Sequence, residues 1–166
     1  KGISLGNITE NPLSFSKHTD ANFMLKSSKT HAAFWIDPKK WTFKKNENGH
    51  ESAEYTFTVK GSDLYAMVIS EQLEIKLEDL VDIAVSNARG AAPDIKVTKK
   101  EYRMVNEHKV IYMEMEGTIQ SIRFTYLGYY YSDSFGSTQY LTYTGSSLVQ
   151  KYRQDIDNFL NGFTSQ

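Results

Sequence analysis

Residues 110–117 (VIYMEMEG), 122–131 (IRFTYLGYYY) and 137–144 (STQYLTYT) read as three consecutive strands, and 146–162 (SSLVQKYRQDIDNFLNG) as a helix that follows them. In the first strand Ile111, Met113 and Met115 alternate with Tyr112, Glu114 and Glu116, the period of a sheet with two distinct faces. In the second, Ile122, Phe124, Tyr126, Gly128 and Tyr130 oppose Arg123, Thr125, Leu127, Tyr129 and Tyr131. The last segment changes period. Leu148, Tyr152, Ile156, Phe159, Leu160 and Phe163 form one apolar stripe, Ser147 and Gln150 match a capping box, and Gly162 is placed to stop the helix. A strand meander with a helix laid over it is a layered α+β arrangement.

Working backwards, Ile95–Met104 adds a fourth strand, joined to the first by a turn at Asn106-Glu107. Before it, Leu77, Leu80, Val81, Ala84, Val85 and Ala88 share one helical face. Glu78 and Asp79 stand in the first turn, Arg89 in the last and Gly90 just beyond. Tyr55, Phe57 and Val59 alternate with polar residues, and Gly61-Ser62-Asp63 turns the chain into Leu64–Ser70, which makes a hairpin. Asn48-Gly49 signals an earlier turn. Residues 31–36 (HAAFWI) form a strand stopped by Asp37-Pro38, and Trp41–Phe43 form a short turn or strand. Residues 1–30 read as a partly ordered amino-terminal arm, whose apolar pieces at Leu13, Phe15 and Phe23–Leu25 add an edge strand. Residues 31–166 form one α+β domain, an antiparallel sheet sandwiched by helices.

The totals restrict the function classes. The 166-residue chain carries 19 Lys+Arg against 20 Asp+Glu, a net charge of −1. Its basic clusters are short, so the sequence lacks the field that phosphate binding requires, and no nucleic-acid partner is expected. With no cysteine, it has no disulfide, thiolate zinc site or cysteine nucleophile. No run reaches the roughly 18 apolar residues of a membrane helix. His18, His31, His50 and His108 lack metal-site spacing. There is no Gly-x-Ser-x-Gly elbow and no phosphate loop. No catalytic residue, metal or cofactor is therefore assigned.

What remains is a surplus of tyrosine. Of the six tyrosines between 126 and 143, some must be core, and the rest suit a protein partner or a pocket. The candidate binding residues are Tyr112, Glu114, Tyr129 and Tyr131. Glu114 stands out as a carboxylate inside an otherwise apolar meander. The leading expectation is a non-catalytic accessory or protein-binding module. The alternative is a small-ligand-binding protein or enzyme with a cleft lined by Tyr112, Glu114 and neighbouring aromatics.

The element order, the FWIDPKKW segment at 34–41, the Glu116-Gly117 step, the Gly136-x-x-Gln139 return strand and the helix ending Phe159-Leu160 together resemble the PsbP-type α/β/α sandwich. That group includes the extrinsic PsbP subunits of photosystem II, the DcrB-like bacterial envelope proteins and the Mog-type Ran-binding proteins. The resemblance covers residues 31–163. It implies a mostly non-enzymatic protein that acts by binding other proteins. Separately, the chain is expected to be bacterial and exported to the periplasm, with a cytoplasmic location as the alternative. The functional amino-terminal segments of the plant subunits have no match in residues 1–30, so no photosystem role is carried over.

Overall fold

A computed structural model describes residues 11–46 and 53–166. The start of the expected arm and the Asn48-Gly49 turn lie outside the described residues. The strands are β1 (Leu13–Phe15), β2 (Phe23–Lys26), β3 (Ala32–Ile36), β4 (Trp41–Lys45), β5 (Ala53–Val59), β6 (Tyr65–Glu71), β7 (Lys96–Val105), β8 (His108–Ile119), β9 (Ile122–Asp133), β10 (Gly136–Gly145) and β11 (Phe163–Ser165). The helices are α1 (Leu77–Ala91) and α2 (Val149–Leu160).

Eight strands form the main sheet in the order β1-β7-β8-β9-β10-β6-β5-β4, and β11-β3-β2 form a second, smaller sheet. The main sheet is antiparallel except where β1 runs parallel to β7. One of its faces packs against α1 through Leu80, Val81, Ala84, Ile111, Met113 and Tyr130. The other packs against α2 and the small sheet through Phe34, Phe57, Tyr140, Ile156, Phe159 and Phe163. The α+β sandwich is the expected class. The apolar pieces at Leu13–Phe15 and Phe23–Lys26 are edge strands, one in each sheet.

The long strands β8 and β9 keep their register through nine paired positions, with Tyr112 opposite Tyr129. Two-residue turns join β7 to β8 and β8 to β9. Asn106 and Glu107, then Gln120 and Ser121, all have positive φ, the geometry whose twist suits a tight hairpin. Gly128 neither bulges the strand nor meets a helix. A side chain there would meet Leu141 Cδ2 at 2.4 Å and the Tyr140 carbonyl at 2.9 Å, both on the adjacent strand.

Both helix ends depart from the sequence reading. Helix α1 runs through Gly90 to Ala91, and Ala92 ends it by donating to the Ala88 carbonyl. Gly90 sits in open space, so the burial of Ala92 and Ile95 sets where the chain turns. The Ser147 capping box does not form. A 3-10 turn over Ser146–Leu148 leads into α2, with no side-chain cap. The Ser146 hydroxyl instead pairs with Thr125 at 2.8 Å. Phe163 lies beyond α2, in β11.

Among the described residues Tyr140 is fully buried, stacked on Phe159 and tilted against Phe34, and its hydroxyl has no hydrogen-bond partner. A buried unpaired hydroxyl is a liability of about 1–3 kcal/mol. Tyr140→Phe is therefore expected to leave the urea midpoint unchanged or raise it. A clear fall would show that the hydroxyl has a partner.

Candidate functional site

Alternation along β7 and β8 carries the predicted residues to one place. Lys99, Glu101 and Arg103 share a face of β7, and in register beside them stand Glu114, Tyr112 and Val110 of β8. Tyr129 follows across from Tyr112 on β9. Helix α2 and the residue that caps its end flank this face and bring Arg153, Asp157 and Asn161, spaced four apart so that all three fall on one side. The result is a shelf of paired charges beside α2. It is bounded outward by β1, where Leu13 is 65% exposed.

The arginines and glutamates of the shelf are paired. Tyr112 donates its hydroxyl proton to Glu114, and Arg153 Nη1 lies 3.4 Å from the same carboxylate oxygen. Arg103 Nε is 2.7 Å from Glu101. The Arg103 guanidinium lies 3.7 Å from the Tyr112 ring centre and 4.8 Å from that of Phe15. It thus stacks between the sheet and its edge strand, a cation over aromatic faces. Tyr129 donates to the Asn161 side chain and stands 3.4 Å from Arg103 Nη1.

Burial and these contacts fix the protonation states. Burial raises the Tyr129 phenol to about 12, although Arg103 beside it pulls the other way. Burial also pushes Tyr112 well above its ordinary value, and its bond to Glu114 adds to the rise. Both phenols therefore stay protonated and serve as donors. Burial holds the Asp157 carboxyl above the usual carboxylate range, against the pull of Arg153 and Arg103. A carboxyl with a raised folded pKa is a penalty at neutral pH, present above the folded value and absent below the unfolded one. Asp157→Asn should raise stability at pH 7, with the gain shrinking toward pH ~4. Urea denaturation at the two pH values measures this, and a loss at pH 7 would refute it.

The structure brings Tyr112, Glu114 and Tyr129 together and leaves Tyr131 apart. The rings of Tyr112 and Tyr129 are core, 1% exposed, so what each offers the shelf is its hydroxyl. Tyr131 packs its ring on Phe163 at 5.1 Å and on His108 at 5.8 Å, and donates to Asp133. It serves the junction with the small sheet. Sequence reasoning missed Arg103, Arg153, Asp157 and Asn161. The first was visible as a charge on the shared face of β7. The other three come from α2 and its carboxy-terminal cap, whose docking angle no local pattern encodes.

Glu54 is a second buried charge, with no local sequence signal. Glu54 is 3% exposed and accepts hydrogen bonds from Ser27 Oγ at 2.8 Å, Ser28 N at 2.7 Å and Ser28 Oγ at 2.9 Å. Burial pushes its pKa up, but the hydrogen bonds it accepts outweigh burial and leave it below the ordinary value. It anchors the loop between β2 and β3. Among the described residues no three His, Asp or Glu side chains converge as a metal site, and no helix is long and apolar enough to cross a membrane.

No protein-family model matches the chain, and no curated protein matches it by sequence. Solved structures do match in fold. The solution structure of cyanobacterial PsbP (CyanoP) from Synechocystis superposes with a TM-score of 0.64 at 10% identity, covering 90% of this chain and 95% of that one. A Pseudomonas aeruginosa protein of unknown function, named as a candidate regulator, gives 0.55 at 9% identity over 87% and 96%. A Bacteroides thetaiotaomicron protein gives 0.53 at 7% identity, covering 88% of this chain and 49% of its own. The fold is PsbP-like.

Proposed function

Starting from a chain with the PsbP-like fold, we propose that it is a non-catalytic accessory module of the bacterial cell envelope that holds a protein partner on the shelf beside α2. One observation carries this reading. The Arg103 guanidinium is fixed in place by Glu101, Tyr112, Phe15 and Tyr129 on a rigid sheet, next to the exposed Leu13. Protein interfaces concentrate their binding energy on arginines and aromatics backed by packed neighbours, with apolar and charged groups around them. A preformed arrangement of this kind gives up little conformational entropy on binding. The balanced signs, Lys99, Arg103 and Arg153 against Glu101, Glu114 and Asp157, suit a partner surface with both charges and disfavour a polyanion.

The chemistry of the shelf points the same way. The Glu114 carboxylate is taken up by Tyr112 and Arg153, and among the described residues no serine or histidine hydrogen-bonds to it as a nucleophile or base would. The bacterial part of the reading draws on the bacterial proteins that share the fold.

Leu13→Asp and Lys99→Glu alter side chains 65% and 48% exposed and should leave the circular dichroism spectrum unchanged. Each is expected to reduce capture of a crosslinked partner from native extract by roughly tenfold or more. Phe135→Ala, at the far β9–β10 turn, should capture normally. Equal capture by all three variants would refute the reading.

A further inference from the structure

Strand β7 is bare along most of its outer edge. Of its ten residues three, Arg103, Met104 and Val105, pair with β1. Because β1 runs parallel to β7, the residues before Leu13 would be the next to pair. Pro12 has no N–H to give, and it stands with Asn11 outside the ladder. Among the described residues nothing else pairs with the outer edge of Lys96–Tyr102, while the inner edge is joined to β8. Such an edge offers a row of unpaired N–H and C=O groups, and what fits that row is another extended backbone.

The side chains along the edge select its character. Lys96, Lys99 and Glu101, opposite Glu116, Glu114 and Tyr112, lie on the shelf face, and Val97, Lys100 and Tyr102, opposite Met115, Met113 and Ile111, lie on the α1 face. Glu101 is bound to Arg103 at 2.7 Å, and Glu116 to Arg123 at 3.1 Å. Lys96 and Lys99 are exposed, and Lys99 reaches Glu101 only at 3.8 Å. The shelf side of the edge therefore has positive charge to spare, and the α1 side has the half-buried Val97 and Tyr102. The register with β8 also shifts between Val97 and Lys99. Lysines and a bulge keep an edge from pairing with its own kind. A second copy of β7 would bring lysine against lysine, whereas an acidic strand would be drawn in.

We infer that the open edge of β7 takes an extended segment of a partner protein as an added strand, its acidic residues turned to the shelf and alternating with apolar residues on the α1 side. This rests on the shelf as the partner's site and specifies which part of the partner is held there.

The test is a titration of the full chain with the capped peptide Glu-Val-Glu-Val-Glu-Val-Glu, followed by backbone amide NMR and hydrogen exchange. Saturable shifts should centre on Lys96–Tyr102, and amides there that exchange freely in the peptide-free protein should become protected. The same peptide N-methylated at every residue keeps its charges, loses its donors and should not bind. Lys96→Glu combined with Lys99→Glu should weaken binding about tenfold and leave the circular dichroism spectrum unchanged. Equal binding of the N-methylated peptide would overturn the inference, since charge alone would then suffice. Protection of the outer amides before any peptide is added would overturn it too, because the edge would already be covered, by a second copy or by the chain itself. Capture of a protein at the shelf, with no peptide protection, would sink the added strand and leave the shelf reading standing. Peptide protection without capture would do the reverse.

Discussion

Gly162→Ala is expected to destabilise the protein by about 3 kcal/mol or more, lowering the melting temperature on the order of 10 °C. A Cβ built on Gly162 would lie 1.9 Å from the Trp35 carbonyl oxygen and 2.9 Å from its carbon. Both are backbone atoms and cannot rotate away. The approach is close because Trp35 donates its N–H to the Gly162 carbonyl at 2.8 Å, where the chain leaves α2 and enters β11. The glycine therefore answers to proximity and not to a left-handed helix stop. Relieving the clash means parting β11 from β3, and with it Phe163 from Phe34. Guanidinium denaturation measures the loss. A variant as stable as the parent would mean that the small sheet is not docked as described.

Asn106→Asp should cost about 3 kcal/mol at pH 7, a surprising penalty for a change of one atom. The Asn106 side chain accepts from the Lys17 amide at 3.0 Å and donates to the Asn161 and Phe163 carbonyls at 2.9 and 2.6 Å. Its own N–H bonds the Phe15 carbonyl at 2.9 Å. One side chain thus ties β1, the β7–β8 turn and the end of α2 together. Asparagine also suits its φ of 47°. Aspartate keeps the shape and the backbone conformation but turns two donors into an anionic oxygen facing two carbonyls. That carboxyl would titrate above the ordinary range. Its penalty is therefore full above the raised pKa and shrinks as the pH falls through it, when a protonated oxygen can donate again. Parallel urea curves at pH 7 and pH ~4 should show the gap to the parent narrowing in acid. A gap that stays constant would place the effect elsewhere.

These two positions mark the boundary of what the sequence discloses. The pleat of β8 and β9 and the stripe of α1 are local periodicities, and the structure has them where the alternation puts them. Tyr112 and Glu114 share a face for the same reason. The small sheet is not local. Its strands β2, β3 and β11 come from both ends of the chain, and Phe163-Thr164-Ser165 is too short to signal a strand. Asn106 looked like a turn residue and is one, but its side-chain bonds reach 55 and 57 residues away. The capping box at Ser147 was a sound local pattern overridden by the 3-10 entry to α2. At the shelf, the carboxylate and phenol were legible and the arginine that answers them was not, because Arg153 reaches Glu114 only through the packing of Tyr152 and Ile156. The same packing explains the tyrosine surplus. Tyr112, Tyr129, Tyr130 and Tyr140 are among the largest fully buried side chains, and a sheet covered on both faces consumes them as core.

On the reading proposed above, the shelf beside α2 is where a protein partner binds. A photo-crosslinking residue placed singly at Leu13, at Lys99 and, on the opposite face, at Ile83 of α1 tests it most directly. One discrete crosslinked protein is expected from native extract at Leu13 and Lys99, competed away by unlabelled parent protein, and none at Ile83. Crosslinking of that protein from Ile83 alone, with silence at Leu13 and Lys99, would contradict it.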